Sequence, residues 1–322
     1  MRAVVMREFG APDVLKLEEV DDPSASAGEV VIDVELANVT FVETQVRAGR
    51  PPNPAMLPAL PAILGNGVGG SVSRVGAGVG SSLLGRRVVA GLTGTGGYAE
   101  QAAAAAARLT EVPDQMELRD AVALLADGRT ALALLGLAQI KSGDTVLVEA
   151  AAGGVGTLLV QLARNAGARV IALAGQQRKL ATARAAGADV VIDYSDADWP
   201  SQVREAAGEM DVVFDGVGGD TGLAAFGLLG PGSRFCPFGM ASGSFAPVTA
   251  ELARERGITV LRSQPLDAET LSTLTEAALA EATAGRIRPV IGQEFELADA
   301  AAAHAAIEAR ATIGKTLLRV SR

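Results

Sequence analysis

The stretch VLVEAAAGGVGTLLVQLARNAGA, residues 146–168, limits the possible folds of this chain more than any other segment. A short apolar, strand-like run passes through small residues and three closely spaced glycines into a segment whose apolar residues recur at helical spacing. The strand is expected to end near Ala150 and the helix to begin near Val155. Gly153 and Gly154 lack Cβ, so the backbone is expected to turn tightly at them and to admit an anionic group. Gly156 is expected to let the helix pack closely on the strand. The first helical turn leaves N–H groups unpaired at the positive end of the helix dipole, which suits a pyrophosphate. The spelling is A-x-G-x-x-G, with Ala151 in the first glycine slot. With 38 glycines in 322 residues such a spelling arises easily by chance, so its weight comes from its place between strand and helix. A glycine-rich turn without a ligand is the plain alternative.

The rest of the chain supplies the context. From residue 118 onward, the runs TVLVEAA (145–151), RVIALA (169–174), VVIDY (190–194), DVVFDGVG (211–218), SRFCPFG (233–239) and ITVLRS (258–263) alternate with helical segments. Apolar strands alternating with helices predict a parallel sheet covered on both faces, the doubly wound α/β architecture. Residues 1–115 read as mostly β, with VVIDVELANV (30–39), GGSVSRVG (69–76) and RRVVAGL (86–92) separated by Gly and Pro. PPNPAMLPALPA (51–62) is expected to be irregular. The tract AAAAAA (102–107) is ambiguous, because alanine favours helix while its neighbours read as strands. The tail predicts a helix over 270–284, a short helix containing His304 and a final strand KTLLRV, returning to the first domain. The expected division is a mostly-β domain from residues 1–120 and 265–322, and a doubly wound domain over residues 121–264.

Composition narrows the partners. A hydrophobic share of 49% with 20% charged residues describes a globular chain. The net charge is −9 and no Lys/Arg run is present, so nucleic acid and anionic membrane surfaces are poor partners. No run of ~18 apolar residues free of charges and turn formers suggests a membrane helix. The start MRAVVMREFG reads as a strand with two early charges, not as the apolar core of a signal peptide. Cys236, the one cysteine, has no intrachain disulfide partner, which suits the cytoplasm.

Folds that bind NAD usually place Asp or Glu at the end of the second strand, against the ribose hydroxyls. Here RVIALA ends in Ala174 and runs on through Gly175, Gln176, Gln177, Arg178 and Lys179, with no carboxylate. Arg178 and Lys179 can pair with a 2′-phosphate that an acid would repel, which predicts NADPH over NADH. Two solvated basic residues on a helix are the alternative.

With AAGGVG placed, the chain resembles the zinc-independent quinone oxidoreductases (zeta-crystallin-like) of the medium-chain dehydrogenase/reductase superfamily. The resemblance runs nearly end to end, through MRAVVMREFGAPDVLKLEEV, TFVETQVRAG, VSRVGAGV, AGADVVIDY, DVVFDGVGG, FGMASG and IEARATIGKTLL. It implies a GroES-like catalytic domain built from both chain ends and a Rossmann domain between them. It also implies that Gly153, Gly154, Val155 and Gly156 hold the pyrophosphate. Gly175 and Arg178 belong to the same expected cofactor set, with Lys179 meeting the adenosine phosphate and Tyr194 lying beside the adenosine ribose. Phe238, Gly239 and Ser242 are implied near the nicotinamide half, as is Thr130. Arg310 matches a position that contacts NADP. Each has a plain alternative: Tyr194 as a strand-end tyrosine, Phe238 as core, Arg310 as a surface ion pair.

No metal is expected. A structural zinc site wants about four thiolates, and the chain has one Cys. Thr40 stands at the position that resembles a cysteine of the zinc enzymes, and Gly65-Asn66-Gly67 stands where those enzymes read Gly-His-Glu. His304, alone on an Ala-rich helix, reads as a surface or packing residue. The chain also departs from the family, which commonly has Asn at Thr40, Tyr at Gln45 and an acid at Gly67. Thr40 and Gln45 are the catalytic candidates, since each can donate a hydrogen bond to a carbonyl.

The expected reaction is hydride transfer from NADPH to a quinone or similar electron-poor acceptor. Enoyl or enone reduction and a pathway-specific tailoring reductase are the enzyme alternatives, and an NADPH-binding structural protein is the non-enzyme one. The family also implies a homodimer joined through the edge of the Rossmann sheet.

Overall fold

The computed structural model describes residues 1–321, and the chain divides into two compact units. Of the described residues, the first holds 1–129, 267–283 and 289–321; the second holds 130–266 and 284–288.

The first unit opens with β1 (Arg2–Met6), β2 (Leu15–Glu19) and β3 (Glu29–Val39), followed by a short helix α1 (Phe41–Arg47). Next come β4 (Ala62–Ile63), β5 (Gly67–Val75), β6 (Arg87–Gly91), β7 (Gln101–Ala105) and β8 (Leu109–Glu111). Helix α2 (Leu118–Ala138) starts in this unit and ends in the second. It is long and apolar enough to cross a membrane by length and composition alone. Most of it is buried inside the protein, and its Asp127 carboxylate takes an ion pair from Lys315 at 3.0 Å. It is a core helix by these contacts.

The second unit alternates strand and helix: β9 (Thr145–Val148), α3 (Gly154–Asn165), β10 (Arg169–Ala174), α4 (Gln177–Ala185), β11 (Val190–Asp193), α5 (Trp199–Ala207), β12 (Met210–Asp215), α6 (Gly219–Phe226), β13 (Leu229–Pro237), α7 (Ala250–Glu255) and β14 (Thr259–Val260). The chain then returns to the first unit with α8 (Ala268–Thr283), β15 (Ile291–Glu296), α9 (Ala300–Glu308) and β16 (Lys315–Arg319).

The second unit's sheet has six strands in the order β11-β10-β9-β12-β13-β14, all parallel. This is the doubly wound order, in which the chain reverses direction across β9. Val146, Leu147, Val148, Val212, Val213 and Phe214 are fully buried, as strands covered on both faces must be. The first unit carries a three-stranded antiparallel sheet, β2-β1-β4, and a larger sheet built along β15-β16-β3-β5-β6-β8. The last strand thus pairs with an early one, β16 with β3, and draws the chain's tail into the first unit. Its core gathers Val30, Ile32, Val34, Val68, Val88, Tyr98 and Leu318. The architecture is therefore mixed α/β, a β unit built from both chain ends plus a Rossmann-like parallel sheet.

Two expectations change and one open reading, the alanine tract, is settled. The proline-rich segment is not wholly irregular, because Pro54–Met56 forms a 3-10 turn and Ala62–Ile63 pairs with β1. The alanine tract is strand, not helix, up to Ala105, since its backbone groups are claimed by β3. The last strand of the series is shorter than ITVLRS: β14 is only Thr259–Val260.

Candidate functional site

The sequence-predicted cofactor residues of the second unit collect at one edge of its sheet, where the strands deliver their C-terminal ends. After β9 the chain makes a tight turn and enters α3 with Gly153 as N-cap. The residue that takes the left-handed conformation is Ala150 (φ 47), whereas Gly153 is extended (φ −80). The expectation that Gly153 would provide the turn is corrected in that respect. The glycines serve close approach instead: a Cβ on Gly156 would lie 2.3 Å from the Ala150 carbonyl oxygen and 2.8 Å from Ala151 Cα. No side chain caps the helix at Gly153, so the first-turn N–H groups of Gly154, Val155 and Gly156 remain for a ligand.

Beside this turn, β10 ends at Ala174 and is followed by the buried Gly175, whose added Cβ would lie 3.1 Å from Ser195 Oγ and in contact with Tyr194. Gln176 follows with φ 67 and starts α4, which places Arg178 and Lys179 in its first turn. Tyr194 follows β11, and its N–H donates to the Ala174 carbonyl at 3.3 Å. Arg178 is exposed, and Lys179 and Tyr194 are half-buried.

Beyond β12 and β13 two loops are laced together. The N–H groups of Phe238 and Gly239 donate to the Asp215 carbonyl at 2.9 and 3.1 Å, and the Ser242 N–H donates to that of Val217 at 2.8 Å. A Cβ on Gly239 would meet the Gly216 carbonyl oxygen at 2.4 Å. Sequence reasoning missed what lies beneath. Glu149 and Asp215, at the ends of adjacent strands, are both fully buried. The Val217 N–H donates to both carboxyl groups, at 3.1 Å each, and Gly218 N–H donates to Asp215 Oδ1 at 2.6 Å. Burial, and after it the Asp215 charge, pushes the Glu149 carboxyl well above its ordinary value. The signal was a lone acid between an apolar strand and the glycine turn.

The other candidates lie elsewhere. Thr130 is half-buried on α2, and Arg310 is exposed in the first unit with φ 53, just past the end of α9. Thr40 precedes α1 and Gln45 lies within it. Gln45 is buried, and its Nε2 donates to Thr44 Oγ1 at 3.1 Å. Thr40 is the N-cap; its N–H and Oγ1 donate to Glu43 Oε2 at 2.7 and 3.0 Å. The Asn66 N–H donates to Glu43 Oε1 at 2.8 Å, and Asn66 Nδ2 lies 3.4 Å from Thr40 Oγ1. Glu43 and Asn66 help line a cavity of about 820 Å³, with Val42, Val46, Ile63 and residues 55–59 of the proline-rich segment. Neither Thr40 nor Gln45 lines it directly. Glu43 was also missed, although Thr40-x-x-Glu43 is a readable capping box.

His304 is fully buried, edge-on to Tyr98, with Tyr98 Oη 3.1 Å from its Nε2. Burial, helped by the Arg47 charge, drops its pKa to about 3, so it is a neutral packing residue. Among the described residues no group of three or more His, Cys, Asp or Glu side chains is arranged to hold a metal ion.

Known proteins share this design. Residues 26–114 match the alcohol dehydrogenase GroES-like domain, and residues 154–279 match the family described as zinc-binding dehydrogenase. The chain is 33% identical to a 2-haloacrylate reductase of a Burkholderia species over 98% of each chain. It is 31% identical to a quinone oxidoreductase of Pseudomonas aeruginosa over 96% of this chain and 97% of that one. The structure of Escherichia coli quinone oxidoreductase complexed with NADPH superposes with a TM-score of 0.91 at 30% identity, covering 99% of this chain and 100% of that one. A mycobacterial protein complexed with NADPH gives 0.91 at 35% identity, covering 99% of both. With relatives of this likeness along its whole length, and with both units in common, the chain belongs to the quinone oxidoreductase family of the medium-chain dehydrogenase/reductase superfamily.

Proposed function

We propose that this oxidoreductase moves a hydride from NADPH to a quinone or similar electron-poor carbonyl acceptor without zinc. The observation that carries the reading is the uncapped glycine turn at the C-terminal end of β9, the strand at which the sheet reverses direction. The residues present fit the cofactor. The first turn of α3 offers N–H groups to a pyrophosphate, and Gly156 is the close-approach position such a turn needs. Arg178 and Lys179 in the first turn of α4, with no acid at the end of β10, favour a 2′-phosphate. Gly175 and Tyr194 frame the ribose side, and Phe238, Gly239 and Ser242, with Thr130, are assigned to the nicotinamide half. Arg310 is assigned to the cofactor on the family resemblance alone. The bound cofactor supplies the hydride; the protein orients it and keeps water away.

The donor set does not fit zinc. Thr40 and Asn66 offer a hydroxyl and an amide, Cys236 is buried within β13 with its thiol pushed up to about 12 by burial, and His304 is engaged with Tyr98.

A second reading, reduction of a carbon–carbon double bond next to a carbonyl, is favoured by the buried Glu43 carboxyl, because such an acceptor needs a positioned proton. The relationship to a 2-haloacrylate reductase points the same way. Titration with NADPH and NADH, followed by turnover of 9,10-phenanthrenequinone and 2-cyclohexenone, tests both. Tight NADPH binding with turnover supports the first reading for the quinone and the second for the enone; binding without turnover of either overturns the reductase reading. β14, a two-residue strand, is one of the two edges of the six-stranded sheet, the edge on which a homodimer is proposed to join.

A further inference from the structure

We propose that Glu149 and Asp215 share a single proton and through it hold the two cofactor loops of the second unit in place, so that NADPH affinity depends on that proton. The inference rests on the cofactor reading given above.

β9 and β12 are neighbouring parallel strands with Phe214 opposite Val148, so the next residues, Asp215 and Glu149, leave the sheet side by side. Each opens a loop: Glu149 leads into the turn 150–153 before α3, and Asp215 into 216–218 before α6. Both are fully buried. The Val217 N–H reaches Glu149 Oε2 and Asp215 Oδ1 at 3.1 Å each, which brings those oxygens within about 4 Å of each other. The other oxygen of each group, Glu149 Oε1 and Asp215 Oδ2, is buried and met by no N–H or O–H of the described residues. Carboxylates only accept, so two of them in hydrogen-bonding contact need a hydrogen of their own. One proton meets the need, with one carboxyl donating and the other accepting.

Asp215 ties the second loop together. Its Oδ1 takes the Gly218 N–H at 2.6 Å, and its carbonyl takes the N–H groups of Phe238 and Gly239 at 2.9 and 3.1 Å. Without the proton, two buried charges repel at the base of both loops. The glycine turn has little room to absorb a shift, since a Cβ on Gly156 would lie 2.3 Å from the Ala150 carbonyl oxygen.

The surroundings bring no compensating cation. The charge acting on Glu149 is that of Asp215. α6 turns Gly222 toward Asp215 Oδ2, and its one charged residue, Asp220, is exposed. On α3, Arg164 donates to the Gly187 carbonyl; on β10, Arg169 donates to that of Ala206. Asp211 on β12 accepts the Thr145 N–H, and Arg234 on β13 pairs with Asp144 at 2.6 Å. Cys236 lies opposite Phe214, so its thiol points to the other face of the sheet from Asp215. Glu149 and Asp215 are therefore positioning residues for the cofactor.

The test is NADPH titration by calorimetry from about pH 6 to about pH 10, wherever circular dichroism shows the protein folded. It compares wild type, Glu149→Gln, Asp215→Asn and Glu149→Leu. Wild-type affinity is expected to fall about tenfold or more toward alkaline pH, the scale of a coupling between two bound species. In Glu149→Gln and Asp215→Asn an amide N–H takes the place of the proton, so affinity stays near the wild-type neutral value and that fall is lost. Glu149→Leu, with no hydrogen to share, is weak at every pH. Infrared spectra give a second readout. A protonated-carboxyl band is expected in wild type, absent from Glu149→Gln, vanishing over the pH range where affinity falls and persisting to higher pH with NADPH bound. Identical pH profiles in wild type and Glu149→Gln overturn the coupling and leave the cofactor reading standing. Absence of the band from wild type at every pH overturns the shared proton. If Glu149→Gln does not fold, Asp215→Asn and the match between the wild-type band and affinity profiles decide in its place. No NADPH binding by wild type at any pH counts against the cofactor reading and overturns the coupling with it, and the band then decides the shared proton alone.

Discussion

Glu149 and Asp215 accept a hydrogen bond from the same donor, the Val217 N–H, at 3.1 Å each, and both are fully buried. Two buried carboxyl groups converging on one N–H are compatible only if one of them keeps its proton. Glu149 is that group, raised by burial and by its neighbour's charge. The pair anchors the loop after β12, which in turn holds the backbone of Phe238 through Ser242.

This gives a signed pH dependence. A carboxyl with a raised native pKa contributes stability that is present below its unfolded value and is lost as pH rises toward the native one. Stability is thus expected to decline on the alkaline side of the ordinary carboxylate range, and Glu149→Gln to flatten that decline. Chemical denaturation across pH measures it. Asp215→Ala, which strands the Val217 and Gly218 N–H groups, is expected to cost about 2 kcal/mol or more.

Gly156→Ala tests the turn. The new Cβ would meet backbone atoms at 2.3 and 2.8 Å, which cannot give way as a flexible side chain can. The N-terminus of α3 must move, at a cost of about 1–3 kcal/mol. The expected outcome in calorimetry is loss of NADPH affinity by about tenfold or more, with Gly136→Ala, in open space, as the neutral comparison.

Arg178 and Lys179 should separate the two nucleotides. Replacing both with Ala is expected to weaken NADPH about tenfold or more, on the scale of charge-assisted hydrogen bonds, and to leave NADH nearly unchanged. Equal losses for both nucleotides would mean that the two side chains do not meet the 2′-phosphate.

His304 has the opposite pH sign to Glu149. Its pKa falls from 6.5 to about 3 on burial, so its contribution is present above 6.5 and is lost as pH drops toward 3. The slope is at most about 1.4 kcal/mol per pH unit, and His304→Asn should remove it in acid denaturation. Tyr98→Phe, which leaves Nε2 without its 3.1 Å partner, is expected to cost about 1–3 kcal/mol.

Much of the fold was legible. The apolar runs at 145–151, 169–174, 190–194 and 211–218 are period-free because both faces are covered, and all became neighbouring parallel strands. Less legible were the elements whose state is decided by a partner. The alanine tract has no intrinsic reason to be extended; it is a strand because β3 takes up its backbone groups. His304 looked isolated because Tyr98 is distant in sequence and adjacent in space.

The sequence by itself determined the doubly wound sheet, the glycine turn at the strand–helix junction and the absence of an acid at the end of β10, since periodicity, missing Cβ atoms and residue charge are local properties. Only the tertiary structure decided that Ala150 takes the left-handed turn conformation, that Glu149 and Asp215 share one N–H, and that Glu43 is buried against Tyr98 beside a cavity. The reason is physical: whether a carboxyl keeps its proton depends on what excludes water from it and which charges lie near, and those neighbours are brought together only when the chain folds.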